Sequence, residues 1–404
     1  MQRSLLLSAT ERPTPAPASP LLAKGFRPFF LLAAVYAMAM VPLWLAILNG
    51  LAPPSTHLES SAWHAHEMLH GFAMAVIAGF LLTAVGNWTQ RETATGPWLA
   101  VLALVWLAGR AALLAPRALP GGLVALIDLA FVPALMVALG RPLLATGNRR
   151  NFVMLGVLGA LFATNVAVHL EGLGLSAAGT ARRANLVAVD LVTLLILVIG
   201  GRVFPMFTRN ATGVTTIRSL PWLDRACIGA MLMLCAADAL AVRESAWVTT
   251  LAGLVGFLAA GRAWHWGAVH STRDPLLWIL HAGYAWLVVG LLLRGAGRWL
   301  SLPLESIATH AITIGAIGSL TLGMMARVSL GHSGRMLSAP KPMSAAFVAI
   351  TLSAAARVLG SWLLPGLYRE VLLFTAVCWT AAFGIFLTVY APMLLAPRVD
   401  GRPG

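Results

Sequence analysis

Apolar residues in this chain gather into blocks rather than alternating with polar ones. Each block is near the roughly 20-residue helix length that crosses the hydrocarbon core of a bilayer. Read in order, they are Phe29 to Asn49, Trp63 to Val85, Trp98 to Ala115, Gly121 to Leu139, Phe152 to His169, Leu186 to Phe207, Leu223 to Val242, Ala246 to Gly261, Leu276 to Leu293, Ile307 to Leu330, Ala345 to Leu364, and Val371 to Leu395. The pattern predicts an all-α fold, a polytopic integral membrane helical bundle of about 12 transmembrane helices. Residues 25–396 are expected to form a single 12-span membrane domain in contact with the lipid bilayer.

The ends read differently. Residues 1–24 are rich in Pro, Ala and Ser and lack the apolar core and cleavage site of a signal peptide, so they are expected to be a disordered cytoplasmic segment. Residues 397–404 are expected to be a cytoplasmic tail. The breaks between blocks are too short for an extramembrane domain with its own core, which needs about 50 residues or more. Any chemistry therefore belongs in or at the membrane.

Composition agrees. Of 404 residues, 59% are hydrophobic and 10% charged, and the mean hydropathy is +0.83, outside the range of soluble domains. Charge then sets the orientation, because Lys and Arg are retained on the cytoplasmic side. With the N-terminus inside, nineteen of the 28 Lys and Arg residues fall on inner segments and eight on outer ones, so both termini are expected in the cytoplasm. The same distribution explains the net charge of +14 without nucleic acid, since no long basic or aromatic-interleaved run stands outside the spans. Cys227, Cys235 and Cys378 are scattered through apolar blocks and suggest neither a disulfide frame nor a thiolate metal site.

Candidate chemistry begins at Trp63-His64-Ala65-His66-Glu67-Met68-Leu69-His70-Gly71, where the second block opens. His66 and His70 are four apart, and Glu67 stands three from both His64 and His70, so one helix face can present imidazole, carboxylate and imidazole. Imidazole suits haem iron and copper, and a carboxylate can orient a ligating ring through its second N–H. The plainer reading is a helix end resting among headgroups, with hydrated histidines. Asp128, Asp190 and Asp238 lie at a depth similar to that of Arg110, Arg243 and Arg357, which suggests ion pairs between helices, with a proton path as the alternative.

The expected topology sorts the ten histidines into two layers: His57, His64, His66, His70, His169 and His310 outside, His265, His270, His281 and His332 inside. His310 and His332 are 22 residues apart, about 33 Å along a helix, so they cannot share a metal. His310 is expected with His64, His66 and His169, and His332 with His281, unless the inner pair merely ends a helix and bonds a carbonyl. No Cys-x-x-Cys-His motif occurs, so a haem would be non-covalent and histidine-ligated.

Several motifs together resemble the NnrS family of haem- and copper-containing membrane proteins associated with the nitric oxide response of denitrifying bacteria. They are Gly25-Phe26-Arg27-Pro28-Phe29-Phe30, WHAHEMLHGFAMAVIAGFLLTAVGNWT from Trp63, GGRVFPMFTRN from Gly200, PLLWILHAGYAWLVVG from Pro275, and HAITIGAIGSLTLGMMARVSLGHSGR from His310. The resemblance implies haem and copper in the bacterial inner (cytoplasmic) membrane, a role against nitrosative stress, and contact with nitric oxide or a related small nitrogen oxide. It carries His64, His66, Glu67, His169, Arg202, His281, His310, His332 and Arg335 as site residues, without dividing them between iron and copper. Donor chemistry leads us to expect copper at His64, His66 and His169 with Glu67 orienting a ring, and haem at His281, His310 and His332 with Arg202 and Arg335. His70 departs from the family pattern, which tends to have Phe there. Three readings stay open: a metal-dependent oxidoreductase fed by an electron donor, a transporter or copper-handling protein with a histidine-lined path, and a non-catalytic nitric oxide sensor.

Overall fold

The structure, a computed structural model, describes residues 19–55, 57–114, 118–240, 243 and 245–402. Residues 1–18 and 403–404, which carry most of the expected N-terminal segment and the end of the tail, lie outside the described residues. Among those described there is no strand.

Twelve long helical segments follow one another: α1 (Phe26–Leu48), α2 (Ser60–Thr89), α3 (Gly96–Leu114), α4 (Gly121–Ala145), α5 (Arg149–Gly172), α6 (Thr180–Thr212), α7 (Pro221–Ala239), α8 (Ala246–Trp266), α9 (Pro275–Trp299), α10 (Glu305–His332), α11 (Lys341–Leu363) and α12 (Pro365–Leu395). Eleven of these are long and apolar enough to cross a membrane. The exception, α7, is a 19-residue helix carrying Asp224, Arg225 and Asp238. Two of its charges are matched within the bundle: Asp224 pairs with Arg262 at 2.7 Å, and Asp238 with Arg294 at 2.7 Å. Paired in this way, such groups are tolerated at membrane depth.

That α7 spans the bundle follows from its neighbours. Arg218, beyond the end of α6, donates its N–H to the carbonyl of His265 at the end of α8, so α6 and α8 finish on the same face. At the other face Arg243, just before α8, reaches both Asp190 near the start of α6 and Asp238 near the end of α7. The chain ends meet as well. Arg27 donates through Nη1 to the carbonyls of Leu394 at 2.9 Å and Ala396 at 2.6 Å, which puts the start of α1 and the end of α12 on one face.

Helix limits are written locally. Glu59 caps α2 by accepting from the N–H groups of Ser61 and Ala62, Asp274 caps α9 through Leu276 N–H, and Pro stands in the first turn of α7 and α9. Two residues counted from sequence with the outer loops, Arg110 and Arg294, lie inside α3 and α9 and are buried, so they belong to the ion-pair set.

Burial identifies the centre. The apolar window of α2 is 83% buried, that of α10 72% and that of α6 67%, while none of the other eight exceeds 50%. Between these three helices lies a cavity of about 100 Å³ with an almost wholly apolar lining that includes Ala73, Ile77, Ile199, Phe204, Ile317 and Met324. Two of these central helices, α2 and α10, carry five of the ten histidines: His64, His66 and His70 in the first, His310 and His332 in the second.

Candidate functional site

Three stretches of the bundle widen from α-helical to π-helical turns: Glu67–Ala73 in α2, Ala311–Gly318 in α10 and Ala356–Gly360 in α11. Such turns are rare and gather at functional sites. Here each adjoins the same polar layer. His66 immediately precedes the first, His310 immediately precedes the second, and Arg357 lies within the third.

The first cluster is built on Asp128 of α4. Its Oδ2 lies 3.3 Å from Nε2 of His66 in α2 and 3.0 Å from Nε2 of His169 in α5, and it accepts from Asn165 Nδ2 at 2.8 Å. The other oxygen, Oδ1, is paired with Arg110 of α3. Arg110 reaches on to Glu67 at 2.7 Å, Glu67 holds Nδ1 of His66 at 2.7 Å, and the hydroxyl of Tyr36 in α1 donates to Glu67. Five helices therefore meet on one buried network whose acidic, basic and imidazole members are at most 5% exposed.

Close packing makes this possible at two glycines. A β-carbon at Gly71 would stand 2.9 Å from the Tyr36 ring and 3.0 Å from Arg110 Nη1, and one at Gly109 would stand 2.9 Å from Asp128 Oδ1. The indole N–H of Trp106 donates to the Gly71 carbonyl at 3.2 Å within the widened stretch.

Geometry and charge both suit a cation. One ligand atom from each of His66, Asp128 and His169 lies within 4.8 Å of the other two. Ligands about 2.0–2.1 Å from a tetrahedral metal stand roughly 3.3–3.4 Å apart, near the 3.3 and 3.0 Å between Asp128 Oδ2 and the two imidazole nitrogens. Glu67 and Asp128 supply two carboxylates against the single guanidinium of Arg110, and an uncompensated charge buried in a membrane is costly. A metal ion or a proton balances the set.

His57, on the loop before α2, places Nε2 2.8 Å from Nδ1 of His169. Burial, with His169 and His66 nearby, pushes its pKa down to about 4, so at neutral pH it is an uncharged ring. A more polar hollow of about 310 Å³ opens beside it, lined in part by Gly121 and Gly172. His70 is 2% exposed, its ring centroid is 5.0 Å from that of His66, and neither nitrogen has a partner among the described residues.

His64 faces another way. It stacks on Trp44 at 4.7 Å and 10° and shares an electrostatic neighbourhood with His310 and Arg357. His310 donates its Nδ1–H to the carbonyl of Ser306 at 2.7 Å, which leaves Nε2 with the lone pair. The histidines expected together on the outer side thus divide into His66 with His169 and His64 with His310. At the opposite face, expected from sequence to be the inner one, Nε2 of His281 bonds the Thr208 hydroxyl at 3.0 Å rather than a carbonyl, and its ring packs on Phe204. His332 packs on Phe26 instead. Arg202 is exposed and donates to Asn151 at 3.1 Å. Arg335 is half-buried, with Nη1 unpartnered among the described residues.

Asp128 and Arg110 were visible from sequence as buried charges, but not as parts of the histidine cluster. His57 was sorted from sequence into the outer histidine layer but not named as a site residue, and Asn165 and Tyr36 carried no signal beyond their polarity in apolar blocks.

The curated proteins contain no match to this sequence. The model of one family, described as NnrS protein, matches residues 20–398, nearly the whole chain, and the chain belongs to the NnrS family.

Proposed function

We propose that this protein binds or redox-converts a small nitrogen oxide at histidine-ligated metal inside the bacterial inner membrane. Family membership supports a membrane protein of the nitric oxide response. The observation that carries the metal reading is the buried His66–Asp128–His169 set, with donor atoms within 4.8 Å of one another and one carboxylate more than its arginine balances.

The donor set fits copper: two imidazoles and a carboxylate, with Glu67 fixing the ring of His66 through Nδ1. His310 fits haem iron, because its Nδ1–H is committed to Ser306 and its Nε2 is left as a donor. When bound, these metals supply one-electron exchange with a small ligand. The residues of the chain hold the rings in one tautomer and keep bulk water out. The apolar cavity begins at Ala73, one helical turn beyond His70, and runs to Phe204, against which His281 packs. Such a lining admits an uncharged gas and disfavours an ion, which favours this reading over an ion path.

The test is metal and spectral analysis of purified protein. The reading expects a Soret band, stoichiometric copper and a spectral change on adding nitric oxide. Folded protein that is colourless and metal-free overturns it in favour of transport.

A further inference from the structure

We infer that Arg357 seats an oxygen anion, a carboxylate or small oxyanion, beside His64 and His310. Three arginines in this layer, Arg110, Arg294 and Arg357, are buried, and a fourth, Arg243, is largely so. Arg110 is paired with Asp128 and Glu67, and Arg243 and Arg294 are both paired with Asp190 and Asp238. Arg357 is buried to the same degree, at 7% exposed, yet no carboxylate among the described residues pairs with it. Among the described residues its nitrogens meet only hydroxyls, Ser361 Oγ at 2.9 Å and Ser306 Oγ at 3.4 Å, and its guanidinium lies 5.7 Å from the Tyr368 ring centroid. Hydroxyls and a ring face soften a buried cation without neutralising it, whereas a planar guanidinium is matched by the paired oxygens of a carboxylate or oxyanion.

The surroundings are organised for a ligand. Ser306 joins the two groups, taking Arg357 on its hydroxyl and His310 on its carbonyl. His64 is clamped flat against Trp44, and its nitrogens have no hydrogen-bond partner among the described residues. Arg357 itself stands on a π-helical turn, which shifts the register of α11 at that point. One anion chemistry has two sources here. A haem on His310, as proposed above, would bring its own propionates, while a free oxyanion such as nitrite would need no haem. The seat itself rests on Arg357 and does not depend on the metal reading.

The experiment compares purified full-length protein with Arg357→Gln in two measurements, haem per folded protein and nitrite affinity by calorimetry. Loss of most of the haem identifies a propionate seat. Nitrite binding weakened about tenfold or more, with haem unchanged, identifies a free oxyanion seat; tenfold corresponds to about 1.4 kcal/mol. A folded variant unchanged in both overturns the inference. If wild-type protein holds no haem, the reading of the previous section fails while nitrite still judges the seat, and equal or absent nitrite binding in both proteins rejects it. Should Arg357→Gln not fold, Arg357→Lys keeps the charge and loses the fork, and wild-type haem content and nitrite affinity in that protein likewise reject the seat.

Discussion

Gly109 of α3 is pressed against Asp128 of α4, so that a β-carbon at 109 would stand 2.9 Å from Oδ1 and 3.1 Å from the α-carbon of the aspartate. The carboxylate has little room to yield, because Arg110, Asn165 and His169 all hold it. Gly109→Ala is expected to push Asp128 away from His66 and His169 and to cost about 1–3 kcal/mol as an overpacked core site. Copper per folded protein should fall in this variant, whereas Gly122→Ala, which has open space around it, should leave copper and thermal stability as they are.

Asp128 serves both a cation and Arg110, and the two roles separate by substitution. Asp128→Asn keeps the shape and removes the charge, so the prediction is loss of copper together with a drop in stability. Breaking a buried pair by removing one partner costs about 3–5 kcal/mol. Asp128→Asn combined with Arg110→Met removes the stranded guanidinium and should recover much of the stability without recovering copper. Thermal unfolding in detergent alongside metal analysis reads both, and copper retained in Asp128→Asn would remove the aspartate from the site.

The fold was legible because a membrane helix is written as an uninterrupted apolar run, and every expected span has a helix. The one that falls short of crossing criteria, α7, does so because Asp224, Arg225 and Asp238 dilute it, and only the partners Arg262, Arg243 and Arg294 explain how two of those charges are accommodated. The histidines of the site were legible as residues but not as a grouping. His64 and His66 are two apart on one helix and point to different neighbours, Trp44 and Asp128. Spacing on a single helix gives directions, while which helix stands opposite is a tertiary fact. The widened turns at Glu67–Ala73 and Ala311–Gly318 also alter the 3.6-residue register on which such spacing arguments depend.

The second buried ion network should act on stability alone. Arg294 spans Asp190 and Asp238, at 3.2 and 2.7 Å, and Arg243 reaches the same two carboxylates at 3.0 and 2.5 Å, which ties α6, α7 and α9 to the loop before α8. Arg243 also lies 3.6 Å from Glu305, which pairs with Arg182, so among the described residues three cations meet three anions and the set is balanced without a metal. Asp238→Ala is expected to lower stability by about 3–5 kcal/mol and leave the copper and haem content of the folded fraction unchanged. A selective loss of metal there would mean that the network belongs to the centre.

Both chain ends are expected in the cytoplasm. Arg27 bonds the carbonyls of Leu394 and Ala396, so the ends share a face, and the excess of Lys and Arg assigns that face to the inside. Reporter fusions before Met1 and after Gly404 should both be active only as cytoplasmic markers. A periplasmic signal from either would reverse the assignment of the His66–Asp128–His169 set to the outer half.

The haem ligand is expected to be His310 rather than a bis-histidine pair from the inner face. His281 spends Nε2 on the Thr208 hydroxyl and His332 packs on Phe26, so the two inner rings are turned to different neighbours. His310 has its Nδ1–H fixed on Ser306, whose hydroxyl takes Arg357, a guanidinium with no carboxylate partner among the described residues; together they would offer an imidazole to haem iron and a cation to a propionate. His310→Ala should therefore abolish most of the Soret absorbance per folded protein, His64→Ala should shift or weaken it, and His281→Ala and His332→Ala should leave it close to wild type. If His310→Ala keeps a full, unshifted Soret band while His281→Ala or His332→Ala loses it, the haem belongs to the inner layer, and His64 with His310 are left to the anion at Arg357.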